Sequence, residues 1–315
     1  MPDVTVREPR LLLLDTASLY FRAFFGMPES SAPDGTPNNA VRGLLDFIAR
    51  LVEQYSPSHL VCCWDDDWRP QWRVDLVPSY KAHRVADAAA NAEEVPERLV
   101  PQVPVIREVL AAYGIAVVGA EGYEADDVIG SLATDAGMPV EVVTGDRDLF
   151  QLVDDLAGVR VLYTAKGGVG NHERVDEAWV KEKYGVTARQ YADFATMRGD
   201  TSDGLPGVKG VGEKTAAILL QEFVDLDGVL AAAHDPAANL TPGVRKKLLE
   251  GEEYARTAVA AVRVRRDLVV DRVTTVLPAE PADPASLDYL TERYDLGSAA
   301  RRVVDALHSS SARVV

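Results

Sequence analysis

Acidic residues stand at the ends of several apolar runs in this 315-residue sequence. Asp15 and Asp65 each close a short apolar run, and Asp146 follows a third run in the stretch VEVVTGD. Other acids fall in three tight groups, EADD, DRD and GDTSD. The full set is Asp15, Asp65, Glu124, Asp126, Asp127, Asp146, Asp148, Asp200 and Asp203. A single acid at such a junction is usually a helix cap, but capping does not readily explain nine of them.

These acids suit divalent cations. Carboxylates gathered in one pocket repel one another unless cations neutralise them, and oxygen ligands favour Mg²⁺ or Mn²⁺. The chain has only five histidines, with no pair at ligand spacing, which argues against zinc or non-haem iron. Two such ions stabilise the attacking and leaving oxygens of a phosphodiester displacement and help to form hydroxide from water. The pattern therefore predicts hydrolysis without a protein nucleophile.

A basic and aromatic segment, WRPQWRVDLVPSYKAHR, lies between Asp65 and the EADD group. Its cations and aromatic residues are Trp68, Arg69, Trp72, Arg73, Tyr80, Lys81 and Arg84. A cation can neutralise a scissile phosphate, and a Tyr ring can stack on an unpaired base. The alternative interpretation is a solvated segment in which Arg stems cover Trp faces. Arg22, just after the first acid, is a further cation close to the predicted metals.

A glycine-rich stretch, GLPGVKGVGEKT, follows the GDTSD group. Its glycines permit a tight turn with exposed backbone N–H groups, and such a turn between helices can bind a DNA phosphate backbone without reading bases. A plain connector is the alternative, but the position next to GDTSD favours DNA contact. The predicted DNA-binding residues are Arg73, Gly207, Val208, Lys209, Gly210, Val211, Gly212, Lys214 and Thr215.

Alternating strands and helices must position these groups. Apolar runs predict strands at 10–15, 59–64, 115–118, 140–143 and 159–163. Helical spacing occurs between them at 41–52, 99–113 and 126–136. This alternation is typical of a parallel α/β sheet, in which ligands bind outside the carboxyl ends of the strands. After about residue 175 the pattern is helical, with predicted helices at 176–184, 188–197, 213–223, 244–264 and a pair within 285–307.

The composition of the chain indicates which classes of protein it can belong to. The hydrophobic share of 47% is ordinary for a folded chain. No apolar run is long enough for a spanning helix, so we expect no membrane partner. The adjacent Cys62 and Cys63 fit a reducing cytoplasm. A formal net charge of −16 would by itself argue against a nucleic-acid partner. The arrangement of the acids, rather than their excess, points to one.

Taken together, the motifs resemble the 5′-nuclease family, which comprises the 5′→3′ exonuclease domain of bacterial DNA polymerase I and the flap endonucleases. The segments that carry the resemblance are LLLLDTASLYFRAF, VPSYKAHR, GYEADDVIG, VVTGDRDLFQLV and MRGDTSDGLPGVKGVGEKTAAILL. No polymerase or proofreading region follows, so the chain resembles a stand-alone member. The resemblance spans about residues 10–300.

The resemblance implies an α/β fold with a central, mostly parallel sheet flanked by helices, in a PIN-like nuclease core over 10–175. It further implies a helical arch at about 80–103, through which a 5′ single strand passes. A helical DNA-binding region would occupy 176–307, with a helix–three-turn–helix at about 200–221. The tails at 1–9 and 308–315 are expected to be mobile.

The resemblance also distributes roles among the residues. Its first metal site corresponds to Asp15, Asp65, Glu124, Asp126 and Asp146, and its second to Asp127, Asp148, Asp200 and Asp203. Asp66 and Asp67 remain alternatives to Asp65, since the second strand ends CWDDD. Lys81 and Arg84 match a basic pair at the scissile phosphate, Tyr80 an adjacent stacking position, and Arg22 an arginine near the active site. In relatives the helix–three-turn–helix holds a K⁺ ion through carbonyls, for which Val208 and Val211 are the candidates.

The implied function is that of a structure-specific 5′ nuclease, with 5′→3′ exonuclease and 5′-flap endonuclease activity and two or more Mg²⁺ or Mn²⁺ ions. The expected partner is double-stranded DNA with 5′ flaps or ends, including RNA-primed DNA, bound by a cytoplasmic monomer. The implied roles are primer removal, Okazaki-fragment maturation and DNA repair.

Three alternatives are weaker. A metal-dependent RNA nuclease of a related acidic-site fold would lack the glycine-rich module. A non-catalytic DNA-binding homologue would have lost some of the acids, and none is lost here. A HAD-like phosphatase needs a second Asp where Ala17 stands.

Overall fold

The computed structural model describes residues 8–87, 92–270 and 274–311. The predicted tails therefore lie largely outside the described residues. The strands are β1 Leu11–Asp15, β2 His59–Cys63, β3 Val85–Asp87, β4 Ala92–Glu93, β5 Ala116–Val118, β6 Val140–Thr144, β7 Val159–Tyr163 and β8 Glu173–Val175. All except β3 and β4 belong to a single sheet.

Helices connect the strands, and the chain after β8 is mainly helical. The first five are α1 Thr16–Gly26, α2 Asn39–Tyr55, α3 Gln71–Leu76, α4 Gln102–Tyr113 and α5 Ala125–Ala133. The others are α6 Glu177–Tyr184, α7 Tyr191–Arg198, α8 Glu213–Phe223, α9 Leu226–His234, α10 Pro242–Val262, α11 Pro284–Arg293 and α12 Gly297–Ser311. Within the described ranges, none of the helices combines the length and apolar character needed to cross a membrane.

The sheet has the order β5-β2-β1-β6-β7-β8, and only the edge strand β8 is antiparallel to its neighbour. This confirms the predicted fold class. The chain leaves β1 towards β2 on one side and later returns to β6 on the other side. Crossovers to opposite sides leave a crevice at the carboxyl end of the central strand. Asp15, the last residue of β1, lies at this crevice.

Apolar side chains cover both faces of the sheet, as expected for parallel strands. On β1, Leu12 and Leu14 face a layer formed with α2, α4, α11 and α12. Leu11 and Leu13 face the opposite layer, which continues through α5 into the helices of the second half. The predicted boundary near residue 175 therefore does not separate two cores. In addition, α11 and α12 belong to the first layer and not to a separate DNA-binding region.

Two local predictions need correction. Residues 80–103 were expected to form a helical arch, but their described part forms a turn of 3₁₀-helix and an antiparallel ribbon of β3 and β4. The ribbon closes with a backbone bond from Glu94 N–H to the Arg84 carbonyl, at 2.8 Å. The second correction concerns the C-terminal tail, since α12 continues to Ser311.

Candidate active site

Five of the predicted acids line one cavity of about 870 Å³ at the carboxyl ends of β1, β2 and β6. They are Asp15, Asp65, Glu124, Asp126 and Asp146. Three of the predicted cations, Arg22, Lys81 and Arg84, line the same cavity. The cavity thus brings together predicted residues that are up to 131 positions apart in the sequence.

Strand and helix ends fix the cavity acids. Asp15 caps α1, because one carboxylate oxygen accepts the N–H of Ser18 at 3.1 Å and the other accepts the hydroxyl of Thr144 at 2.7 Å. Asp65 accepts the N–H of Ala125, the first residue of α5, at 2.8 Å. This bond holds the start of α5 against the end of β2. As a result, Asp126 in the first turn of α5 reaches the cavity.

Of the three acids in CWDDD, only Asp65 lines the cavity. Asp66 is exposed and lies beside Gly119. Asp67 accepts the N–H of Arg69 at 3.1 Å, a local turn bond. The structure therefore distinguishes residues that spacing alone could not.

Three further acids, Asp148, Asp200 and Asp203, extend the cluster beyond Asp146. The N–H of Asp148 donates to the Asp146 carboxylate at 2.8 Å, so the two acids of DRD share one turn. Asp203 contacts Arg84 at 3.1 Å, and Asp200 forms ion pairs with the arginines of DRD and MRGD. One carboxylate oxygen of Asp148 is buried and has no hydrogen-bond partner among the described residues. A buried anionic oxygen without a partner is costly, and a cation would remove that cost.

Burial and mutual repulsion raise the pKa values of most of these acids. Burial, followed by the Asp65 carboxylate, raises the pKa of Asp15 to about 7. The pKa of Asp203 rises to about 6, chiefly through burial. Burial and neighbouring carboxylates hold the pKa values of Asp126 and Asp148 well above the usual range. For these acids, burial and repulsion outweigh the protein's own cations.

Glu124 differs from Asp15 and Asp126 in the same cavity. Burial alone would raise its pKa, but Lys81 and Arg73 outweigh burial and lower it. Both cations form ion pairs with the Glu124 carboxylate, and the Tyr80 hydroxyl donates to it at 2.8 Å. Glu124 therefore acts as the anchor for the predicted basic segment.

The same network corrects three predictions. Arg73, expected to contact DNA, is buried between Glu124 and Asp127, with 2% of its surface exposed. Tyr80, expected to stack on a base, is also buried and bonded to Glu124. Asp127, expected to bind the second metal, is fully buried and bonded to Arg73 and to the backbone N–H of Arg265. It also completes the capping box of α5. These three residues stabilise the site but do not line the cavity.

The cavity cations are held by the GDTSD turn. The backbone N–H of Lys81 donates to the Asp203 carbonyl at 2.9 Å, and the Ser79 hydroxyl donates to the Gly204 carbonyl at 2.6 Å. Arg84 reaches the Ser202 carbonyl at 2.6 Å. The segment with Lys81 and Arg84 is therefore docked directly on the turn that carries Asp200 and Asp203.

The glycine-rich stretch forms a compact hairpin between α7 and α8. Gly207 and Gly210 have φ angles of 71° and 79°, which favour glycine. Val208 and Val211 bury their side chains, while Lys209, Gly210, Gly212 and Lys214 are exposed. Gly212 caps α8 without a side-chain hydrogen bond. Backbone N–H groups at this helix start are thus available to an anion.

The hairpin fits the implied K⁺ ion poorly. The Val208 carbonyl accepts the N–H of Val211 at 2.9 Å. The exposed carbonyl of Gly210 accepts the ammonium group of Lys247, also at 2.9 Å. A cationic side chain already occupies the hairpin carbonyl next to the predicted ligands.

Divalent ions fit the acidic cluster better. All the side-chain donors at its centre are oxygens, and Asp148 keeps an unpartnered buried oxygen. Among the described residues, no three His, Cys, Asp or Glu side chains are already arranged to hold an ion. Lys81, Arg84, Arg147 and Arg198 bind several of the carboxylates instead. Metal binding would therefore require some of these ion pairs to open.

Sequence reasoning missed several residues of the site. Arg147 and Arg198 bind Asp200, and both stand inside the quoted motifs, DRD and MRGD, where their charge could have drawn notice. Thr144 orients Asp15 from the neighbouring strand. Three acids at and just after β4, Glu93, Glu94 and Glu97, also line the cavity. Their placement depends on the ribbon of β3 and β4, and no periodic pattern in the sequence predicts that ribbon.

Two family models match adjacent parts of the chain. Residues 10–185 match the 5′-3′ exonuclease N-terminal resolvase-like domain. Residues 186–285 match the 5′-3′ exonuclease C-terminal SAM fold. Together they span the sheet, the acidic cavity and the glycine-rich hairpin.

Two of the similar proteins have lengths close to that of this chain. A 5′-3′ exonuclease of Streptomyces coelicolor is 60% identical over 94% of this chain and 99% of its own length. A 5′-3′ exonuclease of Mycobacterium tuberculosis is 49% identical over 96% of this chain and 98% of its own. Among solved structures, the phage T5 flap endonuclease in a complex with DNA and metal ions has a TM-score of 0.61 at 17% identity. That match covers 96% of this chain and 99% of the phage protein, and it concerns the fold.

Proposed function

The chain belongs to the 5′-3′ exonuclease family, and we propose that its acidic cavity cuts DNA at 5′ ends and 5′ flaps. It is a phosphodiester hydrolase of the structure-specific 5′-nuclease type. The observation that carries the proposal is the convergence of the strand-end acids on one cavity beside an exposed, glycine-rich hairpin. The same motifs are those through which the sequence resembles the family.

We assign the divalent ions, Mg²⁺ or Mn²⁺, to the carboxylates of the cavity and of the DRD and GDTSD turns. The proposed ligands are Asp15, Asp65, Glu124, Asp126, Asp146, Asp148, Asp200 and Asp203. When bound, such ions lower the pKa of water and stabilise the charge that develops on a phosphodiester. Asp127 is left out of this set because Arg73 and two backbone N–H groups occupy its carboxylate.

The cavity cations would orient the substrate phosphate. Lys81, Arg84 and Arg22 line the cavity beside the acids. Lys81 is anchored through its backbone as well as through Glu124, so its ammonium group is held close to the acids. A positioned cation stabilises a developing negative charge without reorganisation during the reaction.

Duplex DNA would bind to the hairpin through its phosphate backbone. Lys209, Lys214 and the uncapped start of α8 are exposed together on this surface. Phosphate contacts of this kind position a duplex and carry no sequence information. We propose that the enzyme acts as a monomer on 5′ flaps and ends, including RNA-primed ends, in primer removal, Okazaki-fragment maturation and repair.

The test uses Asp148→Asn, which removes one charge and keeps the shape of the side chain. We expect cleavage of a labelled double-flap DNA in Mg²⁺ to fall by at least about a hundredfold, because Asp148 carries the unpartnered buried oxygen. Duplex binding should remain measurable. The matched control is Asp66→Asn, an identical change at an exposed acid outside the cavity, which should cleave like the unaltered enzyme.

Full activity of Asp148→Asn would remove this residue from the proposed metal site. Equal cleavage of matched RNA and DNA flaps would instead favour the RNA-nuclease alternative. Replacing Mg²⁺ by a chelator should abolish cleavage by the unaltered enzyme and by Asp66→Asn alike.

A further inference from the structure

Helix α10 contacts the glycine-rich hairpin through residues on one of its faces. Lys247, Gly251 and Tyr254 follow one another at helical spacing. The Lys247 ammonium donates to the Gly210 carbonyl at 2.9 Å, and the Tyr254 hydroxyl accepts the N–H of Gly207 at 3.1 Å. At Gly251 a Cβ atom would come within 2.8 Å of the Val208 side chain, so the helix approaches the hairpin closely.

Lys247 differs from its neighbour on the same helix. Lys246 forms an ion pair with Glu250 at 3.7 Å. Among the described residues, Lys247 forms no ion pair with a carboxylate, and its residue is exposed. A lysine ammonium group has three N–H donors. The Gly210 carbonyl uses one of them, and two remain for a further acceptor.

We propose that Lys247 is a phosphate-binding residue of the hairpin and takes the place of a bound monovalent cation there. Its ammonium group donates to the carbonyl of Gly210, an exposed residue of the hairpin. In the sequence, Gly210 stands between the exposed lysines Lys209 and Lys214. This proposal rests on the proposed function only in taking duplex DNA as the ligand. It departs from the K⁺ ion that the resemblance implies.

Two consequences distinguish Lys247 from a residue that merely holds the turn. Each phosphate neutralised by a lysine releases condensed counterions and contributes about −0.9 to the slope of log K against log salt. At about 0.1 M salt, one such contact corresponds to roughly an eightfold change in affinity. Since the cation is part of the chain, affinity should also not depend on which monovalent ion is in solution.

The experiment measures binding of a labelled blunt duplex in Mg²⁺ at several salt concentrations. Asp148→Asn is present in every protein so that the duplex is not degraded. Lys247→Ala should weaken binding roughly fivefold to tenfold and make the salt slope shallower by about one unit. Lys247→Arg should restore most of the affinity. The matched control, Lys246→Ala, removes the neighbouring lysine and should change affinity less than twofold.

A second arm exchanges KCl for LiCl at constant ionic strength. Affinity should stay within about twofold, because Lys247 supplies the cation locally. Lys247→Ala should become sensitive to K⁺, since the Gly210 carbonyl is then free. Thermal unfolding of the variants should match that of their parent, because Lys247 is exposed.

The outcomes separate the two proposals. If the parent protein does not bind duplex DNA at all, the proposed function fails. If the parent binds but Lys247→Ala has unchanged affinity and an unchanged salt slope, this inference fails alone. A loss of parent affinity when K⁺ is replaced by Li⁺ would also overturn it, and would favour a potassium ion at the hairpin.

Discussion

At the scale of single residues, the site contains two kinds of carboxylate. Glu124 and Asp200 have lowered pKa values because cations or hydroxyl and N–H donors satisfy them. Asp15, Asp126 and Asp148 have raised pKa values because burial and like charges dominate. The first kind holds the architecture of the site together. Carboxylates of the second kind would be stabilised most by an added cation.

Arg73 belongs to the architecture, and its removal should cost stability. Arg73→Met would leave Glu124 and Asp127 buried without their shared cation, and such a loss costs about 3–5 kcal/mol. Urea unfolding should detect this difference in the free energy of unfolding. Arg189→Met, the same change where the side chain is 81% exposed, should cost less than about 0.5 kcal/mol.

Measuring the duplex affinity of Arg73→Met tests the alternative role of Arg73 as a DNA contact. If Arg73→Met left stability intact and weakened DNA binding, Arg73 would be the DNA contact that the sequence suggested. Equal stability losses in Arg73→Met and Arg189→Met would also contradict the buried network.

The sequence predicted the acids at strand ends well, for a local reason. Asp15 closes a continuous apolar run, and Asp146 follows the Val-rich stretch 140–143 by three residues. Parallel strands present their carboxyl ends at one edge. Arg73, by contrast, looks the same in sequence whether it is solvated or buried. Its position is set by Glu124 and Asp127, which are more than fifty residues away. Such a long-range ion pair leaves no periodic signal near Arg73.

At the scale of elements, the GDTSD turn joins the cavity cations to the glycine-rich hairpin. Gly204 makes this junction close, since its φ is 70° and a Cβ atom there would collide with the Ser79 carbonyl. Ser79 begins the segment that carries Lys81 and Arg84. The position of this segment therefore depends on the absence of a side chain at residue 204.

Gly204→Ala tests this dependence. The added Cβ should push the turn away from Ser79 and break the bond between Lys81 N–H and the Asp203 carbonyl. We expect the single-turnover cleavage rate to fall at least about tenfold, since small displacements of positioning groups are costly in catalysis. Duplex affinity should change much less.

Gly137→Ala is the matched control. Gly137 has a nearly equal φ of 72°, but nothing lies within 4 Å of its added Cβ. Both variants carry the backbone strain of an L-residue at positive φ, of about 1–2 kcal/mol. Only Gly204→Ala adds the collision. If both variants slowed cleavage equally, strain rather than the contact with Ser79 would be responsible.

Elements with strong periodicity were predictable and those without it were not. The stripe at 41–52 became α2, and the apolar runs became the strands of the sheet. The aromatic stretch after Asp15 gave no clear period, yet it forms α1 because Asp15 caps it. In the predicted arch segment, Val85 pairs with Glu93 in an antiparallel ribbon. This pairing depends on backbone hydrogen bonds and not on a pattern of side chains.

At the scale of the whole molecule, the acidic cluster links stability to pH and to metal. Asp15 binds a proton up to about pH 7 in the folded chain, but only up to about pH 4 when unfolded. Between these values the folded state holds more protons, so the metal-free protein loses stability as pH rises. A divalent ion bound at the deprotonated cluster would offset this loss.

We therefore expect Mg²⁺ to raise the melting temperature clearly at about pH 8 and very little at about pH 5. Differential scanning calorimetry with and without Mg²⁺ measures the effect. Asp15→Asn should melt higher than the unaltered chain at pH 8 without metal, because repulsion is relieved. An equal gain from Mg²⁺ at both pH values would show that metal binding is not coupled to these protons.

The packing of α12 against α2 has a consequence for how the protein is made. Residues near 300, such as Ala299 and Val303, are fully buried against helices built from the first third of the chain. While a ribosome is still producing the C-terminal helices, the face of α2 that α12 covers is exposed. The first family segment, 10–185, therefore cannot be excised as an independent unit without exposing this face. The nuclease fold is completed only when almost the whole described chain has been synthesised.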